Sequence, residues 1–359
     1  MRTLLITLGA CGALLATPYR VPAQWTFLDL PVESQAASTS QHIGTTDITI
    51  TYSRPAVKGR AIWGEVVPYD QVWRAGANEN TVITLSSDVK VEGQALSAGT
   101  YGLHMIPTST TWTVIFSKDS RSWGSFFYKP EHDALRVTVS PRPCPATEYL
   151  TYDLTPVKAA EAELTLRWSE LAVPIRIAVD VDQVVLARMD DQLKGLSAFN
   201  WEPWYEAARY CHDAHIAPDK AMKWVDVSIA RQPNFENRML KAEMLTSLGK
   251  QAEAEALRKT MVDEATNGQL NTYAYQLLQK GEKAEAVRMF ELNAKRHPQD
   301  PNVHDSLGEG YMTAGDKEAA IKSFKKSLSM NPPDGVKANS IKCLKQLGVD
   351  TSSYETVKK

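Results

Sequence analysis

The sequence predicts an α+β protein of two domains, an N-terminal antiparallel β-sandwich and a C-terminal α-helical solenoid. Two observations lead to this prediction. Between about residues 45 and 182, apolar and polar residues alternate in short runs, which is typical of half-buried strands. Beyond residue 183, apolar residues recur at helical intervals and a four-residue register repeats after 34 residues. The chain has 359 residues, of which 43% are hydrophobic, so it can form two cores.

The first 23 residues are predicted to be an export signal. Arg2 supplies a positive charge, and residues 4–16 form an apolar run that is too short to span a bilayer. Val21 and Ala23 fit a cleavage site, so we expect cleavage after Ala23 and a periplasmic or secreted protein. The alternative is a lipoprotein that carries its lipid on Cys11, because the residues before it loosely resemble a bacterial lipobox.

Residues 24–41 are mostly small and polar, and we expect them to be a lead-in segment before a β-sandwich over residues 42–182. From Ile48 to Tyr52, apolar and polar side chains alternate, which predicts a strand with one buried face. Similar runs are separated by turn signals, among them residues 141–145 and the neighbourhood of Ser169. The spacing of these signals predicts about eight or nine short strands.

Three segments are expected after the sandwich: a connecting helix over residues 183–196, an array of helical repeats over residues 197–347 and a C-terminal tail over residues 348–359. The array is predicted from a recurring register of glycine, alanine, phenylalanine and proline. The register occurs as Gly281, Ala286, Phe290 and Pro298, and again as Gly315, Ala320, Phe324 and Pro332. In length and residue types it resembles the tetratricopeptide repeat, a helix pair that usually forms part of a protein-binding surface.

Four repeat units are expected, two of them clear and two degenerate. In a clear unit, the glycine ends the first helix in a left-handed cap and the alanine lets two helices cross closely. The phenylalanine then fills the space between neighbouring units. The unit around Ala254 has Arg258 where the phenylalanine is expected, and a closing helix over residues 336–347 completes the array.

The loops that follow the first predicted strand carry distinctive motifs. Residues 52–60 read Tyr-Ser-Arg-Pro-Ala-Val-Lys-Gly-Arg, and residues 72–81 read Val-Trp-Arg-Ala-Gly-Ala-Asn-Glu-Asn-Thr. Ala-Gly-Thr-Tyr follows at residues 98–101 and Ser-Trp-Gly at residues 122–124. In order and spacing, these motifs resemble the bacterial family called domain of unknown function 2911, over about residues 42–182. The resemblance implies export, is compatible with tetratricopeptide repeats behind the domain, and implies no established activity.

The same loops combine basic and aromatic side chains. Guanidinium groups bind carboxylates and phosphates, and indole rings offer a flat face to a sugar or a cation. We therefore predict a cleft for a small anionic or saccharide ligand. The candidate ligand-binding residues are Arg54, Lys58, Arg60, Trp63, Trp73, Arg74, Asn78 and Glu79. In the alternative interpretation, Arg54 and Arg74 pair with Glu65, Asp70 or Glu79 to hold a long loop, and the tryptophans close the end of the core.

The helical array is expected to bind an unknown peptide or protein through the exposed side chains of its first helices. The candidate partner-binding residues are Asn271, Gln276, His304 and Glu309.

Composition and motifs favour binding over catalysis. With 40 basic and 42 acidic residues, the formal net charge is −2, which gives no general attraction to nucleic acid. Nucleotide-binding loops and a serine-hydrolase elbow are absent from the sequence, and we predict no cofactor, metal site, catalytic residue or membrane span. The leading interpretation is an exported binding and scaffold protein of the bacterial envelope. The alternatives are a purely structural role and a hydrolase of an envelope glycan or another small anionic substrate, which would need a second carboxylate near Glu79.

Overall fold

The computed structural model describes residues 31–355. The predicted signal peptide, the alternative lipid site at Cys11, the first part of the lead-in segment and the last four residues lie outside this range. The chain divides into two compact units, with the division between Val185 and Leu186. Between residues 31 and 355, every helix is too short or too polar to cross a membrane.

The N-terminal unit is built from two antiparallel sheets. Its strands within the described residues are β1 (Gln35–Ile43), β2 (Thr46–Arg54), β3 (Thr81–Leu85), β4 (Val89–Val91), β5 (Gln94–Leu96), β6 (Gly99–Pro107), β7 (Trp112–Ser117), β8 (Asp133–Val139), β9 (Arg142–Lys158) and β10 (Glu161–Ala178). Six strands form one sheet in the order β1-β2-β3-β6-β7-β8, and four form the other in the order β5-β4-β10-β9. This arrangement confirms the predicted antiparallel β-sandwich.

One hydrophobic core joins the two sheets. Ile50 of β2 and Phe116 of β7 enter it from the first sheet, and Tyr152 of β9 and Leu166 of β10 enter it from the second. Each of these side chains is almost completely buried. Because successive side chains of a strand point to opposite faces, the alternation read in the sequence around Ile50 becomes alternating burial in β2.

The lead-in segment differs from the prediction, because residues 35–41 belong to strand β1. This strand pairs with β2 along its whole length, from Gln35 opposite Arg54 to Ile43 opposite Thr46. Its small and polar composition suits the edge of a sheet, where one side of the strand faces water. The serine and threonine side chains also bond across the pair, as Ser38 Oγ donates to the Ile50 carbonyl at 3.1 Å.

One predicted turn is shorter than expected and another is wrong. Residues 140 and 141 separate β8 from β9, but residues 142–145 already belong to β9, an edge strand in which prolines are tolerated because one side needs no ladder hydrogen bonds. Ser169 lies inside the single long strand β10, with a φ of 53° and a shift of register on each side. The polar residues there form a β-bulge, which bends the strand without ending it.

The C-terminal unit is helical. The helices of the described chain are α1 (Val181–Gln192), α2 (Glu202–Asp213), α3 (Pro218–Arg231), α4 (Phe235–Ser247), α5 (Gln251–Glu264), α6 (Asn267–Gln279), α7 (Lys283–Arg296), α8 (Pro301–Ala314), α9 (Lys317–Leu328), α10 (Asp334–Gln346) and α11 (Ser352–Glu355). The connecting helix α1 starts and ends earlier than the predicted residues 183–196. It starts early because the Asp180 carboxylate accepts a hydrogen bond from the Gln183 backbone N–H at 3.2 Å, as an N-cap does.

Helices α2 to α9 pack as four consecutive pairs, and α10 packs behind the last pair. Gly315 ends α8 with a φ of 92°, and the Asp316 carboxylate accepts the Ala319 N–H at 3.0 Å to cap α9. Phe290 and Phe324 are completely buried. These contacts confirm the helical solenoid and the roles expected of the glycine and phenylalanine positions.

The predicted tail is ordered against α10 over residues 348–355. Thr351 is buried, and Tyr354 packs on the cluster formed by α9 and α10. Lys345 of α10 pairs with Glu355 at 2.8 Å. The end of the described chain therefore covers part of the last helix.

Candidate functional site

A cavity of 430 Å³ lies in the sandwich unit, between the loop that follows β2 and strand β10. Its basic and polar lining includes Lys58, Arg60, Arg74 and Asn78. Trp73 and Trp168 line it as well, together with apolar residues such as Val67. The volume is within the usual range of small-molecule sites.

The floor of the cavity belongs to a cluster of four tryptophans, Trp63, Trp73, Trp112 and Trp168. The rings of Trp73 and Trp168 are stacked, with centroids 6.1 Å apart and an interplanar angle of 17°. Trp63 meets Trp112 edge to face at 4.9 Å. Such packing is favourable for aromatic rings and gives the cavity a rigid apolar floor.

The backbone of the lining loop is held in an unusual shape. Lys58, Ala75 and Asn78 all have positive φ values, of 48°, 51° and 58°. The Ala75 carbonyl accepts hydrogen bonds from Tyr152 Oη at 2.9 Å and from Thr81 Oγ1 at 3.0 Å. Residues with side chains rarely adopt this conformation, and they do so most often at functional sites, where the surrounding structure enforces it.

The basic side chains of the cavity bond mainly to backbone carbonyls. Arg60 donates from Nε to the Val57 carbonyl at 3.1 Å and from Nη2 to the Ala56 carbonyl at 2.6 Å. Arg74 donates from Nη1 to the Asn78 carbonyl at 2.6 Å. These bonds fix the guanidinium groups in place without neutralising their charge.

Five of the eight predicted ligand-binding residues line this cavity: Lys58, Arg60, Trp73, Arg74 and Asn78. The other three do not. Arg54 donates to the Leu150 carbonyl at 3.0 Å, Trp63 packs within the tryptophan cluster, and Glu79 is exposed to solvent.

The ion pairs of the alternative interpretation do not form within residues 31–355. Neither Arg54 nor Arg74 has a carboxylate within 4.0 Å there, so Glu65, Asp70 and Glu79 do not hold the loop through them. The tryptophans do pack against the sandwich core, as that interpretation expects. Backbone carbonyl groups therefore accept the hydrogen bonds that anchor the loop. No carboxylate of the described residues neutralises the positive charges of Arg54 and Arg74.

Trp168 is one of the lining residues that sequence reasoning missed. It lies in the middle of β10, far from the loop motifs in sequence, and only the pairing of the two sheets brings it beneath them. In the sequence, Trp168 belongs to an alternating strand pattern, which predicts a core residue and does not indicate a cavity.

The cavity does not contain the carboxylate pair that a glycosidase uses. Glu33 is its only acidic lining residue in the described chain, and it pairs with Lys58 at 3.1 Å. Retaining and inverting glycosidases both need two carboxyl groups across the scissile bond. The geometry therefore gives no support to the predicted alternative of a glycan hydrolase.

A second polar contact in the sandwich joins His104 and Ser125, whose Nδ1 and Oγ atoms are 2.9 Å apart. Burial lowers the pKa of His104 to about 4, against the opposing charges of Asp133 and Asp119. The imidazole is therefore neutral near pH 7. In residues 31–355 no carboxylate hydrogen bonds to this ring, so the contact lacks the orienting group of a Ser–His–Asp triad.

The four predicted partner-binding residues lie on first helices of the array. On α6, Gln276 is exposed and Asn271 keeps a buried Oδ1 atom without a partner in the described chain. On α8, His304 Nε2 lies 3.0 Å from the Pro298 carbonyl, and Glu309 accepts hydrogen bonds from Tyr275 and from Asn339. Through these bonds Glu309 connects α6, α8 and α10, so it has a structural role in addition to the predicted role in partner binding.

A groove of 570 Å³ lies in the array between the α4–α5 pair and the α6–α7 pair. Arg258 lines it at the position where the repeat register expects phenylalanine, and it donates to Thr246 Oγ1 at 2.7 Å. The floor is apolar and includes Met239, Leu277 and Met289. The groove therefore lies where the repeat register has an arginine in place of phenylalanine.

The rim of this groove carries charges of both signs. Glu243 bonds to Lys280 at 2.6 Å and to Arg209 at 3.0 Å. Burial opposes the ionisation of Glu243, but these two cations hold its pKa below the ordinary value. The mixed rim and the apolar floor are typical of a surface that contacts another polypeptide.

Metal-binding chemistry finds no support in residues 31–355, because no three His, Cys, Asp or Glu side chains there are grouped to hold an ion. The three cysteines in that range, Cys144, Cys211 and Cys343, form no disulfide bond with one another.

Comparisons with solved structures found helical repeat proteins. MamA 41-end from Desulfovibrio magneticus RS-1 is 14% identical, with a TM-score of 0.27, and the match covers 41% of this chain and 84% of that one. YrrB, described as a TPR protein with an unusual peptide-binding site, is 16% identical, with 45% and 83% coverage and a TM-score of 0.28. PilW, described as a widely conserved type IV pilus biogenesis factor, is 20% identical, with 49% and 82% coverage and a TM-score of 0.29. No curated protein matches the chain.

The sequence of the sandwich unit matches one family model, described as "Protein of unknown function (DUF2911)", over residues 34–177. The matched range starts one residue before β1 and ends one residue before the end of β10, so it covers nearly all of the sandwich. The sandwich unit therefore resembles the DUF2911 family, and the helices that follow it lie outside the matched range.

Proposed function

We propose that this protein is an exported binding and scaffold protein of the bacterial envelope. The helical array binds a segment of another protein, and the sandwich holds a small ligand. Export rests on the N-terminal sequence, where a positive charge precedes a short apolar run and a cleavage pattern. N-terminal sequencing of the mature protein tests this part, with a start at Gln24 as the expected result.

The observation that carries the proposal is the groove at Arg258. Repeat arrays are normally packed without gaps between units, because each unit buries its apolar face on the next. Here one unit lacks its phenylalanine, and the groove beside it has an apolar floor of largely buried side chains below charged ones. An apolar side chain of a partner can fill this space while the partner backbone and polar groups meet Glu243 and Lys280 on the rim.

Site-specific cross-linking tests the array. A photoreactive amino acid is placed at Lys259, which lines the groove, or at Lys322, which lies exposed on α9 away from it. We expect one specific partner to cross-link in cells from position 259 and not from position 322. A peptide from that partner should then bind the purified full chain.

The matched variant for this experiment is Arg258→Phe, which restores the repeat register and fills the groove. It should weaken binding of the partner peptide by about tenfold or more, since a filled pocket cannot accept an anchor side chain. Equal cross-linking from both positions, or unchanged peptide affinity in the variant, would contradict a binding role for the groove.

A further inference from the structure

The cavity of the sandwich is rich in hydrogen-bond donors that are not used within the described chain. Arg60 uses only Nε and Nη2, and Arg74 uses only Nη1. Each guanidinium group has five N–H bonds, so both keep donors for a ligand. Lys58 adds an ammonium group whose described partner is Glu33 alone.

The acceptors of the cavity are largely occupied. The carbonyls of Ala56, Gly76 and Asn78 accept from Arg60, Trp73 and Arg74, respectively. The Pro55 carbonyl accepts from the Leu150 N–H at 3.0 Å, and the Ser34 carbonyl accepts from Asn78 Nδ2 at 2.9 Å.

The cavity also carries an excess of positive charge. Lys58, Arg60 and Arg74 face one lining carboxylate, that of Glu33. The side chains of Lys58 and Glu33 are 57% and 87% exposed, so water screens their attraction and the pair neutralises little. A negatively charged group in the cavity therefore meets two guanidinium groups with no carboxylate partner in residues 31–355.

Trp168 supplies an independent observation. It exposes only 1% of its surface, it lines the cavity, and its indole Nε1 atom has no hydrogen-bond partner within residues 31–355. A buried donor without an acceptor is costly, and native proteins usually satisfy it. The protein itself therefore leaves one polar group of this lining residue unsatisfied.

We propose that this cavity is a site for an organic anion, in which a carboxylate or another oxyanion binds Arg60, Arg74 and Lys58 and a flat apolar body lies on the tryptophan floor. The inference rests on the proposed function, in which the sandwich holds a small ligand, and it names the chemical class of that ligand. The oxyanion accepts several hydrogen bonds and donates none, which matches a lining with many donors and few open acceptors.

A saccharide fits this lining less well. Each sugar hydroxyl donates as well as accepts, so a bound sugar leaves donors without partners unless the site offers acceptors. The cavity offers few, because four side chains and one backbone N–H already bond to the carbonyls named above.

Isothermal titration of the full chain tests the proposal with three probes: 2-naphthoate, inorganic phosphate and N-acetylglucosamine. We expect 2-naphthoate to bind with one-to-one stoichiometry. Phosphate, which lacks the apolar body, should bind at least about tenfold more weakly, and the sugar should give no binding heat. Binding of the sugar alone would overturn the anion assignment but leave a ligand-binding sandwich. Absence of binding by all three would overturn both.

Two variants and a control locate the binding. Arg60→Ala and Lys58→Gln should each weaken 2-naphthoate binding, Arg60→Ala by about tenfold or more, because a charge-assisted hydrogen bond is lost. Arg167→Ala is the control, since Arg167 pairs with Asp153 and does not line the cavity. Thermal melts confirm that each variant folds. An unchanged affinity in both cavity variants, or an equal loss in the control, would overturn the assignment.

Discussion

The backbone of Gly310 lies directly against the ring of Phe290, so that a Cβ atom at Gly310 would be 2.6 Å from Cδ2 of the ring. Gly308 meets Phe324 in the same way, at 2.7 Å. The two glycines let helix α8 approach the phenylalanines of both α7 and α9. The repeat register thus depends on small residues in one helix as much as on large ones in its neighbours.

Gly310→Ala is expected to destabilise the array although alanine favours helices. The added methyl group overlaps a ring that is packed on all sides, and such overpacking costs about 1–3 kcal/mol. Urea unfolding of the helical unit within the full chain measures the change. The control is Gly268→Ala in α6, where nothing lies within 4 Å of the added Cβ. That variant should be unchanged or more stable by up to about 1 kcal/mol, and a larger loss there than at Gly310 would contradict this account.

Arg258→Phe is expected to stabilise the array while it closes the groove. The ring would bury apolar surface where the arginine now bonds to Thr246, and substitutions toward a repeat consensus commonly add about 0.5–2 kcal/mol. The melting temperature of the helical unit measures the gain. Arg288→Phe, at another groove residue whose side chain is 70% exposed, should change stability by less than about 0.5 kcal/mol. A loss of stability in Arg258→Phe would show that the arginine itself holds the units together.

His104 should make the sandwich less stable as the pH falls from 7 to 5. An unfolded histidine binds its proton near pH 6.5, whereas burial lowers the pKa of His104 to about 4. Between these values the unfolded chain binds more protons than the folded one, so stability rises with pH through this window and is lost as pH falls. This residue should account for a loss of about 2 kcal/mol between pH 7 and pH 5.

Urea unfolding at both pH values, followed by the near-ultraviolet circular dichroism of the tryptophan cluster, measures that loss. His104→Gln keeps a polar side chain but cannot titrate, so its free energy of unfolding should fall less than that of the natural protein. The same fall in both proteins would mean that His104 already carries its proton in the folded state.

The sequence was most informative where physical constraints recur locally. The 34-residue register predicted the helix pairs, because glycine caps, small crossing residues and buried phenylalanines leave a periodic pattern. The loop motifs predicted Lys58, Arg60 and Arg74 as site residues, because these lie close together along the chain. Trp168 escaped prediction because only the packing of β10 under the loop brings it to the cavity.

Strand boundaries were predicted less well, for a related reason. The edge strand β1 is polar and has little apolar surface to bury, so its hydrogen-bonded pairing with β2 is what holds it in the sheet. At Ser169, polar residues of the kind that often mark a turn form a β-bulge instead, because β10 stays paired with β9 on both sides of it. Local patterns indicate which residues avoid the core, but the partner strand decides whether the chain turns there.

The indole N–H resonance of Trp168 gives the most direct test of the central claim, that the sandwich cavity holds an anionic ligand. Nuclear magnetic resonance of ¹⁵N-labelled full chain, with the signal assigned through Trp168→Phe, follows this proton during addition of 2-naphthoate. The account predicts a saturable change in the chemical shift of this signal, because the naphthalene ring of the bound probe lies beside Trp168, which lines the cavity. A Trp168 signal that stays unchanged at saturating 2-naphthoate would contradict the account.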